Sequence, residues 1–227
     1  MQARIPQSRG LLTPAQQHIL KTFQALPDAQ HFYLTGGTAL AEFYLGHRRS
    51  FDLDLFTTEQ GIIVPFSRLF EHHFAAQRFA VRVIRRLESF AEFELTWQEE
   101  AVRVQLAYDS PYRFAPPHET PLGRVNDFQD LVVDKLLAFF GRAEPRDAVD
   151  LFVILATEDL QELMRLARMK DPGFDPYWFA QALQKTQDFP DELERWPVEV
   201  IYPLDPKQLK GRFREIALEI MAGLQRR

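Results

Sequence analysis

The sequence predicts an α/β fold followed by a helical C-terminal portion, and two observations carry that prediction. Residues 32–56 read as a strand, a tight glycine turn, a short helix and a second strand. From residue 127 onward apolar residues recur at helical spacing, with no further alternating strands. At 227 residues and 46% hydrophobic, the chain can bury one good core and a smaller second one.

Taken in order, residues 1–12 are polar with an Arg-Gly break and are expected to be loose. Thr13-Pro14 then reads as an N-cap with proline at the first helical position. A helix to about Leu26 follows, with Ile19, Leu20, Phe23 and Leu26 on its packing face. His18 on this helix is expected in solvent. Phe32-Tyr33-Leu34-Thr35 has the β-branched and aromatic character of a buried strand, and Gly36-Gly37 lets the backbone bend before a helix that Gly46 stops. In Phe51-Asp52-Leu53-Asp54-Leu55-Phe56 the period is two, so Asp52 and Asp54 leave one face of one strand.

A helix from Pro65 to Phe79 buries Phe66, Leu69, Phe70 and Phe74. Its adjacent His72 and His73 point about 100° apart and are not a shared metal site. Residues 81–87 form a strand with one basic face, suited to an RNA backbone and equally to an edge strand guarded by charge. Residues 90–97 and 101–108 alternate around Gln98-Glu99-Glu100 as a hairpin. Four prolines mark 111–125 as an ordered linker between halves.

Asp127 is expected to cap the next helix, with Asp130 in a capping-box-like position and Phe128, Leu131, Val132, Leu136 and Phe139 inward. Gly141 ends it, and a second helix starts near Arg146-Asp147. Further helices occupy 158–169, 176–187 and 207–227, the last ending in two arginines.

A net charge of −5 argues against holding nucleic acid by bulk electrostatics, although a local basic patch stays open. The absence of cysteine excludes disulfides and thiolate zinc sites. No apolar run approaches the roughly 20 residues of a membrane span, and Met1 to Gly10 lacks a signal-peptide core. A cytoplasmic, membrane-free protein is the expectation.

Paired carboxylates on a rigid strand repel each other, so Asp52 and Asp54 point to a cation, with Mg²⁺ the fitting one. The glycine turn upstream offers backbone N–H groups and a helix start suited to phosphate oxygens. These residues carry a resemblance. GGTALA followed by HRRSFDLDLF, with Asp130 to Leu136 around Lys135 and the run Arg146-Asp147-Ala148-Val149-Asp150-Leu151, resembles the AbiEii/AbiGii-type toxin family, with its nucleotidyltransferase fold, over about residues 30–155.

That resemblance implies a mixed sheet with flanking helices, a nucleotidyltransferase core at 1–120 and a helical domain at 121–227. It also implies transfer of a nucleotide from an NTP to an acceptor hydroxyl, with RNA, and a tRNA 3′ end in particular, as the acceptor. A separate antitoxin protein would be the partner. The implied catalytic residues are Asp52, Asp54, Lys135 and Asp147, with Asp52 and Asp54 as the metal pair. The implied nucleotide contacts are Gly36, Gly37, Thr38, Arg48, Ser50, Lys135 and Arg146. From spacing alone Lys135 would snorkel to the surface, whereas the resemblance turns it toward a triphosphate. One departure stands out. Where the fold commonly has a third carboxylate, this chain has Gln105, with Glu94 and Asp109 as nearby acids. A small-molecule or protein acceptor, or a weak enzyme that works by binding a partner, are the alternatives.

Overall fold

A computed structural model describes residues 4–225. Residues 1–3 of the N-terminal segment and the two terminal arginines lie outside the described residues. The chain divides into two compact units, Arg4–Phe128 and from Gln129 onward.

The first unit holds a seven-stranded mixed sheet among its described residues, in the order β3-β4-β5-β2-β1-β7-β6. Its strands are β1 (Phe32–Thr35), β2 (Leu53–Thr57), β3 (Ala80–Arg86), β4 (Phe90–Trp97), β5 (Glu100–Tyr108), β6 (His118–Thr120) and β7 (Gly123–Val125). The pairs β2/β5 and β1/β7 are parallel and the remaining pairs antiparallel. The helices are α1 (Pro14–Phe23), α2 (Gly36–Leu40) and α3 (Ile63–Ala76).

The start of α1 is as expected: Thr13 and Gln16 form a reciprocal capping box ahead of Pro14. α1 and α3 pack on one face of the β3-β4-β5 half of the sheet. In the layer these helices form, tilted rings meet at 4.3 Å between Phe70 and Phe74, at 4.7 Å between Phe70 and Phe93 of β4, and at 4.3 Å between Phe66 and Phe32 of β1. Because side chains alternate along a strand, the residues between these apolar ones leave the opposite face. His18 is half-buried rather than solvated, its ring against Phe79 and Trp97.

Three expectations change. The proline-bearing segment 111–125 is no mere linker, since its tip forms the β6-β7 hairpin and Val125 joins Leu34 in the sheet. The turn after β4 has two residues, Gln98 at φ 56° and Glu99, with Trp97 paired to Glu100. Residues 4–12, the described part of the segment before Thr13, are not loose. The Gln7 and Arg9 amides bond to the Phe43 and Glu42 carbonyls. The Glu42 carboxylate, only 2% exposed, accepts hydrogen bonds from the Ser8 hydroxyl and from the amides of Arg9, Gly10, Leu11 and Leu12 at 2.5–3.2 Å. Glu42 stands in the π-helical turn Ala41–Leu45 that prolongs α2 to Gly46. A buried carboxylate is stable only with such compensation.

The second unit is helical: α4 (Phe128–Arg142), α5 (Pro145–Ile154), α6 (Leu160–Lys170), α7 (Pro176–Lys185) and α8 (Pro206–Gln225). α4 runs one residue past Gly141, and the chain turns at Ala143 with φ 48°. Phe139 meets Phe179 and Phe213 edge-on in its core. Lys170, buried at the end of α6, is held by Asp130 at 2.7 Å and Asp134 at 2.6 Å. Burial alone would lower its ammonium pKa, but the two carboxylates raise it above the ordinary value. Asp130 therefore ties α4 to α6.

The clasp around Glu42 gives a test of the N-terminal packing. Glu42→Ala leaves the Gly10, Leu11 and Leu12 amides without their acceptor, that of Leu12 in a buried place, and is expected to cost about 2–3 kcal/mol, read as a lower denaturant midpoint at unchanged m-value. Glu42→Gln, which turns an N–H₂ toward those donors, is expected to destabilise as well. A loss below about 1 kcal/mol in both variants would mean the strap contributes little.

Candidate active site

β1 delivers its chain end to Gly36, whose φ of +69° is left-handed. A Cβ built on Gly36 would lie 1.9 Å from Asp54 Oδ2 and 2.9 Å from its Cγ, so no residue with a side chain fits there. At Gly37 a Cβ would meet Arg48 Nη2 at 2.4 Å and Ser50 Oγ at 2.9 Å. Thr38 Oγ1 donates to the Asp52 carbonyl at 2.5 Å, and Thr35 pairs with Asp54 across β1/β2. Arg48 is buried, and its Nη1 donates to the Arg49 carbonyl. The Ser50 carbonyl is fixed by Gln16 Nε2 at 2.8 Å. Gly36, Gly37, Thr38, Arg48, Ser50, Asp52 and Asp54, far apart in sequence as two groups, thus meet at one end of β1 and β2.

The strand register explains why the acids face outward. Leu53 and Leu55 are buried, while Asp52, Asp54 and Phe56 are half-buried on the other face. Across the sheet Asp54 pairs with Gln105 of β5, and Gln105 pairs with Glu92 of β4. Gln105 is therefore the direct neighbour of the acid pair, as expected. The nearest acid beyond it is Glu92, which the sequence reading missed. A two-residue turn sets Glu92 opposite Gln105, whereas a three-residue turn would have set Phe93 there and sent every alternate side chain to the other face. Glu92 is buried, with Arg103 Nε at 3.4 Å and Arg85 Nη2 at 3.8 Å.

The two acids singled out beside Gln105 are engaged elsewhere. Glu94 takes Arg82, with Nε at 3.0 Å and Nη2 at 2.9 Å. Asp109 accepts from the Tyr33 hydroxyl at 2.6 Å and from Arg113 at 3.3 Å. Arg113 also lies 3.9 Å over the Tyr33 ring and donates to Asn126, whose amide donates to Thr35 Oγ1 at 3.0 Å. Burial, with the Asp109 charge beside it, pushes the Tyr33 hydroxyl far above its ordinary pKa. This chain of bonds fixes Thr35, the residue that launches the glycine turn.

In the helical unit Lys135 of α4 does not snorkel. Its ammonium is buried between Asp147, at 3.1 Å, and Asp150, at 2.9 Å, both of α5 and both fully buried. Arg142 adds two bonds to Asp147, at 2.6 and 3.0 Å. Burial would raise the Asp147 carboxyl, but the Arg142 bonds and the Lys135 and Arg142 charges together hold it below the ordinary range. Arg146 is half-exposed beside Glu144 at 3.0 Å. Asp150 belongs with Lys135 and Asp147, and the three-residue spacing of the two acids on one helix was its signal.

Among the described residues no three His, Cys, Asp or Glu side chains gather as a metal cluster. Two carboxylates of hard oxygen nevertheless suit Mg²⁺, which commonly takes one or two protein carboxylates and completes its shell with water and substrate phosphates. No helix among the described residues is long and apolar enough to cross a membrane.

Comparison with known proteins identifies the fold and the family. Several solved structures share the fold. One is a Helicobacter pylori chain assigned as a nucleotidyltransferase, 17% identical with TM-score 0.61, covering 95% of this chain and 98% of that one. Another is JHP933 from Helicobacter pylori, 17% identical with TM-score 0.55, covering 92% and 89%. A third is MenT4, a nucleotidyltransferase toxin from Mycobacterium tuberculosis, 19% identical with TM-score 0.62, covering 91% and 82%. No curated protein matches. The family model described as nucleotidyl transferase AbiEii toxin, type IV toxin–antitoxin system, matches residues 18–197, which span the glycine turn, the Asp52/Asp54 strand and the Lys135 and Asp147 helices. By that match the chain belongs to the AbiEii nucleotidyl transferase toxin family and is a nucleotidyltransferase.

Proposed function

We propose that this nucleotidyltransferase transfers a nucleotide from an NTP to a hydroxyl of RNA, a tRNA 3′ end foremost, with Mg²⁺ held by Asp52 and Asp54. One observation carries the reading: the Cβ-free approach of Gly36 to Asp54, with Gly37 equally close to Arg48 and Ser50. Bare backbone beside two carboxylates is what a phosphate chain and its metal require, because amide donors and anionic ligands must both come close. Bound Mg²⁺ supplies Lewis-acid stabilisation to the phosphate oxygens.

The chain's own residues supply the rest. The Gly36-Gly37-Thr38 amides grip the β- and γ-phosphates, while Thr38 is committed through its hydroxyl to holding the Asp52 backbone. Arg48 and Ser50 add donors beside Gly37. Within the helical unit, Asp147 and Asp150 fix the position of the Lys135 ammonium. The acceptor hydroxyl attacks the α-phosphorus in line, the bond from that phosphorus to the bridging oxygen breaks, pyrophosphate leaves with that oxygen, and the hydroxyl proton passes to solvent water. Gln105, beside Asp54, cannot take a proton, so the site works by orienting the reactants and stabilising charge at phosphorus.

The same Gln105 favours a second reading, a weak enzyme that acts mainly by binding a partner. In the primary reading the protein works in the cytoplasm, where NTPs and tRNA are available, and a separate antitoxin protein opposes it.

Incubating the protein with Mg²⁺, each α-labelled NTP in turn and total bacterial RNA is expected to label RNA from one preferred nucleotide. Asp52→Ala/Asp54→Ala is expected to lower that rate at least about a hundredfold. Labelling of a protein or small molecule instead would move the acceptor, and no labelling at all would favour the second reading. Gly36→Ala meets both a strained φ and the Asp54 carboxylate, and is expected to abolish NTP binding while circular dichroism shows a folded chain. NTP affinity within about twofold of the parent, less than ~0.5 kcal/mol, would contradict the proposed cradle.

A further inference from the structure

The face of the sheet that carries Asp52 and Asp54 continues across β5, β4 and β3 as a polar surface, and its arginines share one orientation. Glu94 of β4 pairs with Arg103 of β5 and Arg82 of β3, and Glu92 pairs with Gln105 and Arg85. Arg82 and Arg85 are three residues apart, so regular alternation would send them to opposite faces. A register shift between Val83 and Arg85 inserts Ile84 and brings Arg85 round to the side of Arg82. Protection of an edge strand needs charge but no such alignment, and it needs nothing from Arg103, which lies on the interior strand β5.

In the ion pairs of this face the arginines are the more exposed partners, with Glu94 at 35%. The side chains of Arg82, Arg85 and Arg103 are 65%, 59% and 53% exposed, whereas the carboxylate of Glu92 between Arg85 and Arg103 is 8% exposed. Exposed ion pairs of this kind are worth at most about 1 kcal/mol, so a phosphate can compete for the guanidinium donors that remain. With strands about 5 Å apart, Arg85 lies three strand steps, about 15 Å, from Asp54. The patch is local, and so it is compatible with a chain whose net charge is −5.

We propose that Arg82, Arg85 and Arg103 form a phosphate-binding track for the RNA acceptor, leading its end to the Asp52/Asp54 pair. The proposal rests on the RNA reading of the function. Glu92 and Glu94 set the guanidinium positions and keep affinity moderate, so that product can leave.

The test combines label transfer into tRNA with fluorescence anisotropy of labelled tRNA over a salt series, using the full chain. Arg82→Gln/Arg85→Gln/Arg103→Gln is expected to raise the KM for tRNA at least tenfold and to flatten the log–log salt dependence by about 2, for three lost phosphate contacts at about 0.7 each, with NTP affinity unchanged. Glu94→Gln, which releases Arg82 from its carboxylate, is expected to lower the KM for tRNA about threefold, an improvement that no folding defect would produce. If the wild type labels tRNA and neither variant changes KM or salt slope, the track is wrong while the RNA reading stands. If the wild type labels no RNA, the RNA reading fails and the track fails with it.

Discussion

Everything about the catalytic end of this molecule depends on one close approach, that of the Gly36 backbone to the Asp54 carboxylate. A single methyl group at Gly36 would overlap Asp54 Oδ2. The requirement fixes the left-handed turn out of β1, the start of α2 and the register that sets Thr35 opposite Asp54. Two further layers hold it. Below, the bonds from Asp109 through Arg113 and Asn126 reach Thr35. Beyond α2, the strap of residues 7–12 closes on Glu42 and pins the π-turn to which the helix leads.

The same physical problem, how to keep charge close together in a protein, is met in two ways here. Asp52 and Asp54 stand half-buried on the open face of a sheet, with arginine and backbone donors nearby, and suit a cation that arrives with substrate. Asp147 and Asp150 are fully buried and carry their cations permanently, as Lys135 and Arg142. Breaking a buried pair from one side leaves an uncompensated charge. Lys135 therefore holds α4 to α5 whatever it also does for a nucleotide.

Short-range chemistry was legible in the sequence. The Thr13-Pro14 cap, the glycine turn, the Gly46 stop and the outward face of Asp52 and Asp54 all rest on local backbone rules, and the motifs they frame pointed to the family. What escaped depends on register or on distant partners. One residue fewer in the β4-β5 turn decides that Glu92, rather than Phe93, stands beside Gln105. One residue more in β3 aligns Arg85 with Arg82. The prolines of 111–125 hid a hairpin of two short strands, and no local pattern records the pairing of its β7 with β1. Glu42 looked ordinary because its compensating groups lie about thirty residues away, and spacing alone let Lys135 snorkel because its partners lie on the next helix.

Calorimetric titration of Mg²⁺ with NTP into the protein tests the central claim most directly. The glycine turn and acid pair predict saturable binding of at least one NTP that requires Mg²⁺ and is lost in Asp52→Asn/Asp54→Asn, a change that keeps shape and removes charge. Binding that persists in that variant, or that is indifferent to Mg²⁺, would contradict the assignment of this strand and turn as the nucleotide site.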